Sequence, residues 1–243
     1  MISLIDTHAH LDQINPLSPI LENAKTAGVF SIIAVGTNFD SNVKILKIAE
    51  ENQDFVFPSI GIHPWDVESE GRNSLEFIEA TVEKCVAIGE IGLDFWYKKD
   101  KNKQVDVFKH LLEIATRNHK PVLVHSRGAW EECYKIIKEI EPFKVLFHWY
   151  SGPLPILDQI IESGYSISAT PAAEYSKHLR QAIRHVPLSS ILLETDCPVK
   201  YRGKVSEPAD VIRSLKAVAE LKCTPLEEVA RRTTINAEDF FGL

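Results

Sequence analysis

Short apolar runs recur along the chain roughly every 25 to 30 residues, each followed by a stretch in which apolar residues return every three or four positions. The runs fall at residues 2–6, 31–36, 55–62, 86–88, 121–124, 145–147, 165–168 and 191–193, and their brevity and polar boundaries predict strands. The last, within SILLETD, places three apolar residues in succession, as in a strand buried on both faces. Pro58 inside the third run removes a ladder donor and predicts a shortened pairing there. Helices are expected over 18–28, with Ser18 as cap and Pro19 at its first position, and over 42–52, with Val43, Leu46 and Ala49 inward. Further helices are expected over 74–83, 129–140, 155–163, 176–185 and 208–221. Val105, Phe108, Leu111, Leu112 and Ala115 mark another at the 3.6-residue period. A last helix starts from a capping box of Thr224 and Glu227 and runs toward Phe240. Eight strands alternating with eight helices predict an α/β chain, a closed (β/α)8 barrel of the TIM type with an additional C-terminal helix; a doubly wound open sheet is the competing arrangement.

The 243 residues suit one such barrel, and no linker or low-complexity stretch divides them, so a single domain over 1–243 is expected. Of the chain, 44% is hydrophobic and 25% charged, the balance of a soluble globular protein. With 27 basic and 34 acidic residues the net charge is -7, which argues against a surface that coats nucleic acid but leaves room for a local basic groove. No basic leader precedes a long apolar stretch and no run approaches a membrane span, so a cytoplasmic location without membrane contact is expected. Cys85, Cys133, Cys197 and Cys223 stand far apart with no CxxC pair, which predicts reduced thiols.

The polar residues that end these runs carry the candidate chemistry. His8 and His10 close the first run two positions apart, so an extended backbone points both to one side. His125 and His148 each follow a buried run, where an unpartnered imidazole is costly. Glu90 lies between glycines in AIGEIGLD and can bridge two cations, and Asp196 ends the last strand. In a barrel these ends share one face, which predicts two divalent ions: His8, His10, Glu90 and Asp196 around one, Glu90, His125 and His148 around the other. The imidazoles suit Zn2+, Mn2+, Co2+ or Ni2+, and the carboxylates admit Mg2+. His63, in GIHPWD, is expected behind the ligands or against substrate, with Pro64 and Trp65 fixing its loop. His110, His119, His178 and His185 lie in or beside helices and receive no catalytic role.

DTHAHLD, GEIGLDFW with Gln104 beyond it, PVLVHSR, FHWYSG and LLETDCP, in this order, resemble the TatD-type metal-dependent deoxyribonucleases of the amidohydrolase superfamily. The resemblance spans almost the whole chain. It implies a TIM barrel with one to three divalent cations at its C-terminal face and 3′ to 5′ exonuclease or DNA-repair phosphodiesterase activity. It places the family's ligands on His8, His10, Glu90, His125, His148 and Asp196, and a phosphate contact on Arg127. Arg202, Gly203, Lys204, Glu207 and Pro208 match the segment after the last ligand, which makes Arg202, Lys204 and Glu207 candidate substrate contacts with His63 and Arg127, whereas Val199, Val205, Ser206, Trp149 and Tyr150 depart from the family's usual residues, which bears on substrate preference.

The expected reaction is attack of a metal-activated water on a phosphodiester, with Asp196 and Glu90 as the catalytic carboxylates and DNA, single-stranded or frayed at its 3′ end, as partner. Lys98, Lys99, Lys101 and Lys103 after the fourth strand, and Lys200, Arg202 and Lys204 after the eighth, can form a positive rim, and Phe95, Trp96 and Tyr97 can stack on bases. The same water could instead attack an ester, lactone or amide, including an aminoacyl-tRNA. A non-catalytic barrel that binds metal or nucleic acid is the reading from another class.

Overall fold

Each apolar run forms a strand because a central parallel strand buries both of its faces, one against the bore and one against the surrounding helices. The computed structural model describes residues 2–97 and 100–243. In it β1 (Leu4–Ala9), β2 (Val29–Val35), β3 (Val56–Ile60), β4 (Ala87–Gly92), β5 (Val122–His125), β6 (Val145–Phe147), β7 (Ser166–Ala169) and β8 (Ile191–Leu193) pair in parallel in chain order. Helices α1 (Ser18–Thr26), α2 (Phe39–Glu51), α3 (Arg72–Thr81), α4 (Lys101–Arg117), α5 (Trp130–Ile140), α6 (Leu154–Glu162) and α7 (Lys177–His185) link successive strands, and α8 (Val211–Lys222) and α9 (Leu226–Phe241) follow. The chain is thus a nearly closed (β/α)8 barrel with an added C-terminal helix. Among the described residues no helix is long and apolar enough to cross a membrane.

Polar residues within β1 close the barrel. Asp6 and Thr7 are fully buried; Thr7 donates its hydroxyl to Leu193 O (3.0 Å), and Asp6 accepts the Thr195 amide (2.8 Å) and hydroxyl (2.6 Å). These bonds, with a parallel bridge between Ala9 and Cys197, join β1 to the end of β8. That seam explains why β1 reaches Ala9, beyond the expected end at Asp6, and carries His8 inside the strand.

Successive residues of one strand enter two separate cores. Leu4, Ile32, Val122, Val145 and Ile191 pack outward among the helices, whereas Ile5, Ile33, Leu123, Leu146 and Leu192 fill the bore together with Ala237, Phe240 and Phe241 of α9. Asn236 of α9 donates to Leu188 O and Ile191 O, and Thr234 to Ser3 O, which anchors the helix beneath the N-terminal ends of β8 and β1.

Three local expectations are corrected. The inward face of α2 is Asn42, Ile45 and Ala49, and Val43 is exposed, because the Asn42 amide bonds both the N–H (3.1 Å) and the carbonyl (2.8 Å) of Gly61 and turns the helix toward itself. Thr224 does not cap α9: its hydroxyl donates to Lys222 O, and Pro225 opens the helix. Ser18 lies inside α1 without a capping bond, leaving Pro19 to set the start. The loop after β8 also folds as a hairpin of β9 (Lys200–Tyr201) and β10 (Lys204–Val205).

Candidate metal centre

The strands deliver their C-terminal ends to one mouth, where the glycines flanking Glu90 allow close backbone approach. A Cβ on Gly92, whose φ is +141°, would lie 2.0 Å from His125 O. Asp196 turns out of β8 in the left-handed region, at φ +51°, which aspartate tolerates better than most residues, and its amide donates to His8 O (2.8 Å).

Glu90 sits at the middle of the cluster. Its Oε2 lies 3.4 Å from His8 Nε2 and 3.6 Å from His10 Nε2, while Oε1 lies 2.8 Å from His125 Nδ1, 2.9 Å from His148 Nε2 and 3.5 Å from His63 Nε2. Asp196 Oδ1 is 3.3 Å from His10 Nε2 and 3.7 Å from His8 Nε2. One carboxylate therefore addresses two groups of imidazoles with its two oxygens. The cluster opens into a cavity of about 390 Å³ that Trp65 and Val199 help to wall.

The outer bonds of the rings fix what their inner nitrogens offer. His10 directs Nδ1 at Val35 O (2.9 Å), His148 directs Nδ1 at Glu194 Oε1 (3.3 Å), and His125 directs Nε2 at Asp94 Oδ2 (3.2 Å). With their N–H groups donated outward, all three neutral rings point lone pairs at carboxylate oxygens, an arrangement that only protons or cations reconcile. The donor set therefore fits divalent ions: His8, His10 and Asp196 converge within 4.8 Å of one another, and Glu90 Oε1 meets His125 and His148 at 2.8 and 2.9 Å.

Protonation follows the same logic. Burial alone would depress His10, but Asp196 and Glu90 outweigh it and lift the ring to about 9. For His148, burial is likewise overcome by Glu90 and Glu194, and the ring lies well above the ordinary histidine value. Burial works against Glu90, yet His148 and the hydrogen bonds from His125 and His148 hold it well below the usual carboxylate range. Asp196 is lowered by His10 and His8 against the same penalty.

His63 differs from the others. Burial pushes it down to about 3, so it is neutral, and its Nδ1 accepts the Trp65 amide (3.1 Å), which leaves the proton on Nε2. It therefore presents an N–H, 3.5 Å from Glu90 Oε1, where the neighbouring rings present lone pairs.

The structure brings His8, His10, His63, Glu90, His125, His148 and Asp196 together, with Arg127 at the edge, bound to Asp94 through Nε (2.9 Å) and Nη2 (2.8 Å). It does not bring the remaining three to the cavity. Arg202 lies over the Tyr175 ring (4.8 Å), Lys204 is an exposed hairpin residue, and Glu207 caps the turn at Pro208–Asp210 and accepts from Asn23. Lys98 and Lys99 lie outside the described residues. Lys101 sits over Phe95 (4.4 Å) and Lys103 donates to Glu68 O, so these two serve the loop itself.

Sequence reasoning passed over two buried acids. Asp94 and Glu194 are fully buried behind His125 and His148 and orient those rings. Glu194 Oε2 and His8 Nδ1 have no hydrogen-bond partner among the described residues, and Glu194, His8 and His148 form a further convergent trio. The available signal was an acid beside each assigned motif: GLD after Glu90, and LLE before Asp196.

Comparison with known proteins shows the family. The family described as TatD related DNase matches residues 5–242. The chain is 32% identical to an uncharacterized metal-dependent hydrolase, YabD, of Bacillus subtilis over 99% of both chains. It is also 32% identical to the human deoxyribonuclease TATDN3, over 99% of this chain and 95% of that one. The crystal structure of YJJV, a TatD homolog from Escherichia coli, superposes with a TM-score of 0.92 at 30% identity over the full length of both. A family model matched over residues 5–242, with relatives 32% identical over nearly the whole chain, makes this chain a member of the TatD-related family of metal-dependent hydrolases and deoxyribonucleases.

Proposed function

We propose that the chain hydrolyses phosphodiester bonds of DNA, removing nucleotides from a 3′ end, with two divalent ions shared through Glu90. His8, His10 and Asp196 would complete one site and His125 and His148 the other. The reading is carried by Glu90, whose two oxygens face separate imidazole groups at 2.8 to 3.6 Å. When bound, the ions would polarise phosphoryl oxygens and lower the pKa of water toward neutrality.

The chain's own residues supply the rest. Asp196, ionised at neutral pH, is placed to accept the proton of the attacking water. The neutral His63 offers its Nε2–H to a phosphate oxygen or to that water. Arg127, held at a fixed angle by Asp94, directs its remaining donors at the phosphate.

The test is digestion of end-labelled single strands by metal-stripped protein after add-back of Mg2+, Mn2+ or Zn2+. Shortening that proceeds from the 3′ end is expected. Intact strands alongside rapid hydrolysis of an aminoacyl or lactone substrate would overturn the reading.

A further inference from the structure

Three aromatic side chains gather around Arg127 that the hydrolytic step does not use. Trp65, in the loop after β3, stacks on Tyr97, in the loop after β4, with ring centroids 5.0 Å apart and planes 25° from parallel. The Arg127 guanidinium lies 5.2 Å from the Trp65 ring and 5.9 Å from that of Trp96. One carboxylate fixes all four: Asp94 Oδ2 accepts the Trp65 indole N–H (2.8 Å) and the guanidinium, and Oδ1 accepts the amides of Trp96 and Tyr97 (both 3.1 Å).

Trp96 is seated further by a glycine. Gly128 has φ +71°, and a Cβ there would lie 2.2 Å from Trp96 Cδ1, so the indole rests on bare backbone, perpendicular to the Trp130 ring. Despite this fixing, Trp96 is 68% exposed, Tyr97 43% and Trp65 41%. Ordered rings that face water around a cation are a ready-made binding surface. The surface adjoins the ligand cluster: the Trp65 ring is 4.9 Å from that of His63, and the Asp94 oxygen that holds Trp65 and Arg127 lies 3.2 Å from His125 Nε2.

We propose that Trp65, Trp96 and Tyr97 form a stacking shelf for an unpaired nucleobase, next to the phosphate held by Arg127 and the metal centre. The proposal rests on the phosphodiester reading and adds the part of the strand that is recognised. A base offers a π-face to any of these rings, whereas a base inside a duplex keeps that face covered; the shelf therefore selects single-stranded or frayed ends and is tolerant of sequence. Phe95, grouped with these aromatics on sequence grounds, is not part of the shelf. It is half-buried beneath Lys101 and lines a separate hollow with Trp130.

The experiment compares two labelled probes with the metal-loaded protein by fluorescence anisotropy: a cleavage-resistant phosphorothioate single strand, and a strand of equal length and charge built from abasic units. Tighter binding of the base-containing strand, by about fivefold or more, is expected. Trp96→Ala should bring that ratio toward one and Trp96→Phe should restore most of it; both substitutions are at the surface and spare every polar contact of Asp94. Equal binding of the two probes by the wild-type protein, or a ratio unchanged in Trp96→Ala, overturns the proposal. Cleavage from the 3′ end without preference for bases sinks the shelf alone, whereas failure to cleave any strand removes the phosphodiester reading with it.

Discussion

At the N-terminal end of the bore, Ile5, Leu123, Leu146 and Leu192 close on Phe240 and Phe241, and all six are buried. At the C-terminal end of the same strands, His8, His10, His148, Glu90 and Asp196 are buried to nearly the same degree. The lower end gains about 25 cal/mol for each Å² of apolar surface removed from water, whatever else is bound. Burying the upper set costs free energy unless a compensating charge is present. The barrel thus places its chemistry where folding is least favourable and its stability at the opposite end. A ligand that supplies positive charge should act on one end only.

The largest separation of the two ends should come from Asp196→Ala. Loss of the proposed proton acceptor and of one proposed ligand should lower kcat about 10²–10⁴-fold with little loss of melting temperature, measured by oligonucleotide turnover and thermal unfolding. Phe240→Ala should do the reverse. A cavity under the bore should remove about 3–5 kcal/mol of stability in urea unfolding while kcat/KM of the folded fraction is kept. Divalent ions should then stabilise the wild-type chain by about 2.7 kcal/mol at a hundredfold excess over Kd, and stabilise Glu90→Gln far less.

A smaller effect should appear with pH. The folded-state value of His10, about 9, exceeds its ordinary 6.5, so its ion pairs contribute fully below 6.5 and are lost as pH rises through 9. The metal-free protein should therefore lose this stability between those values. Metal affinity should rise over the same window, because the ion displaces a proton from the ring. Calorimetry in buffers of different ionisation enthalpy would count the released protons. The smallest effect is expected at Arg202→Ala, since Arg202 stacks on Tyr175 and does not line the cavity, and KM should shift by no more than a few-fold.

The apolar end was the more legible in sequence. Runs such as Val145 to Phe147 can only be buried, and period alone places them. The mouth was legible where an imidazole followed such a run, as at His125 and His148. Asp94 and Glu194 escaped because an acid looks the same in sequence whether it meets water or backs a histidine; only the fold reveals that Asp94 reaches His125 and Arg127 at once. Val43 was misplaced for a related reason. Asn42 satisfies its amide on Gly61 and takes the inward position that hydrophobicity would assign to its neighbour. Arg202, Lys204 and Glu207 lie close to Asp196 in sequence, but a hairpin forms at Lys200–Tyr201 and Lys204–Val205 and none of the three lines the cavity.

In the proposed reading Glu90 joins two cation sites at the upper end of the bore. Titrating metal-stripped protein with Mn2+ or Zn2+, with elemental analysis of the loaded product, tests it most directly. Two ions per wild-type chain and one or fewer for Glu90→Gln, both proteins remaining folded, is the predicted result. A wild-type chain that takes up no ion, or a Glu90→Gln chain that binds as many ions as tightly as the wild type, would contradict it.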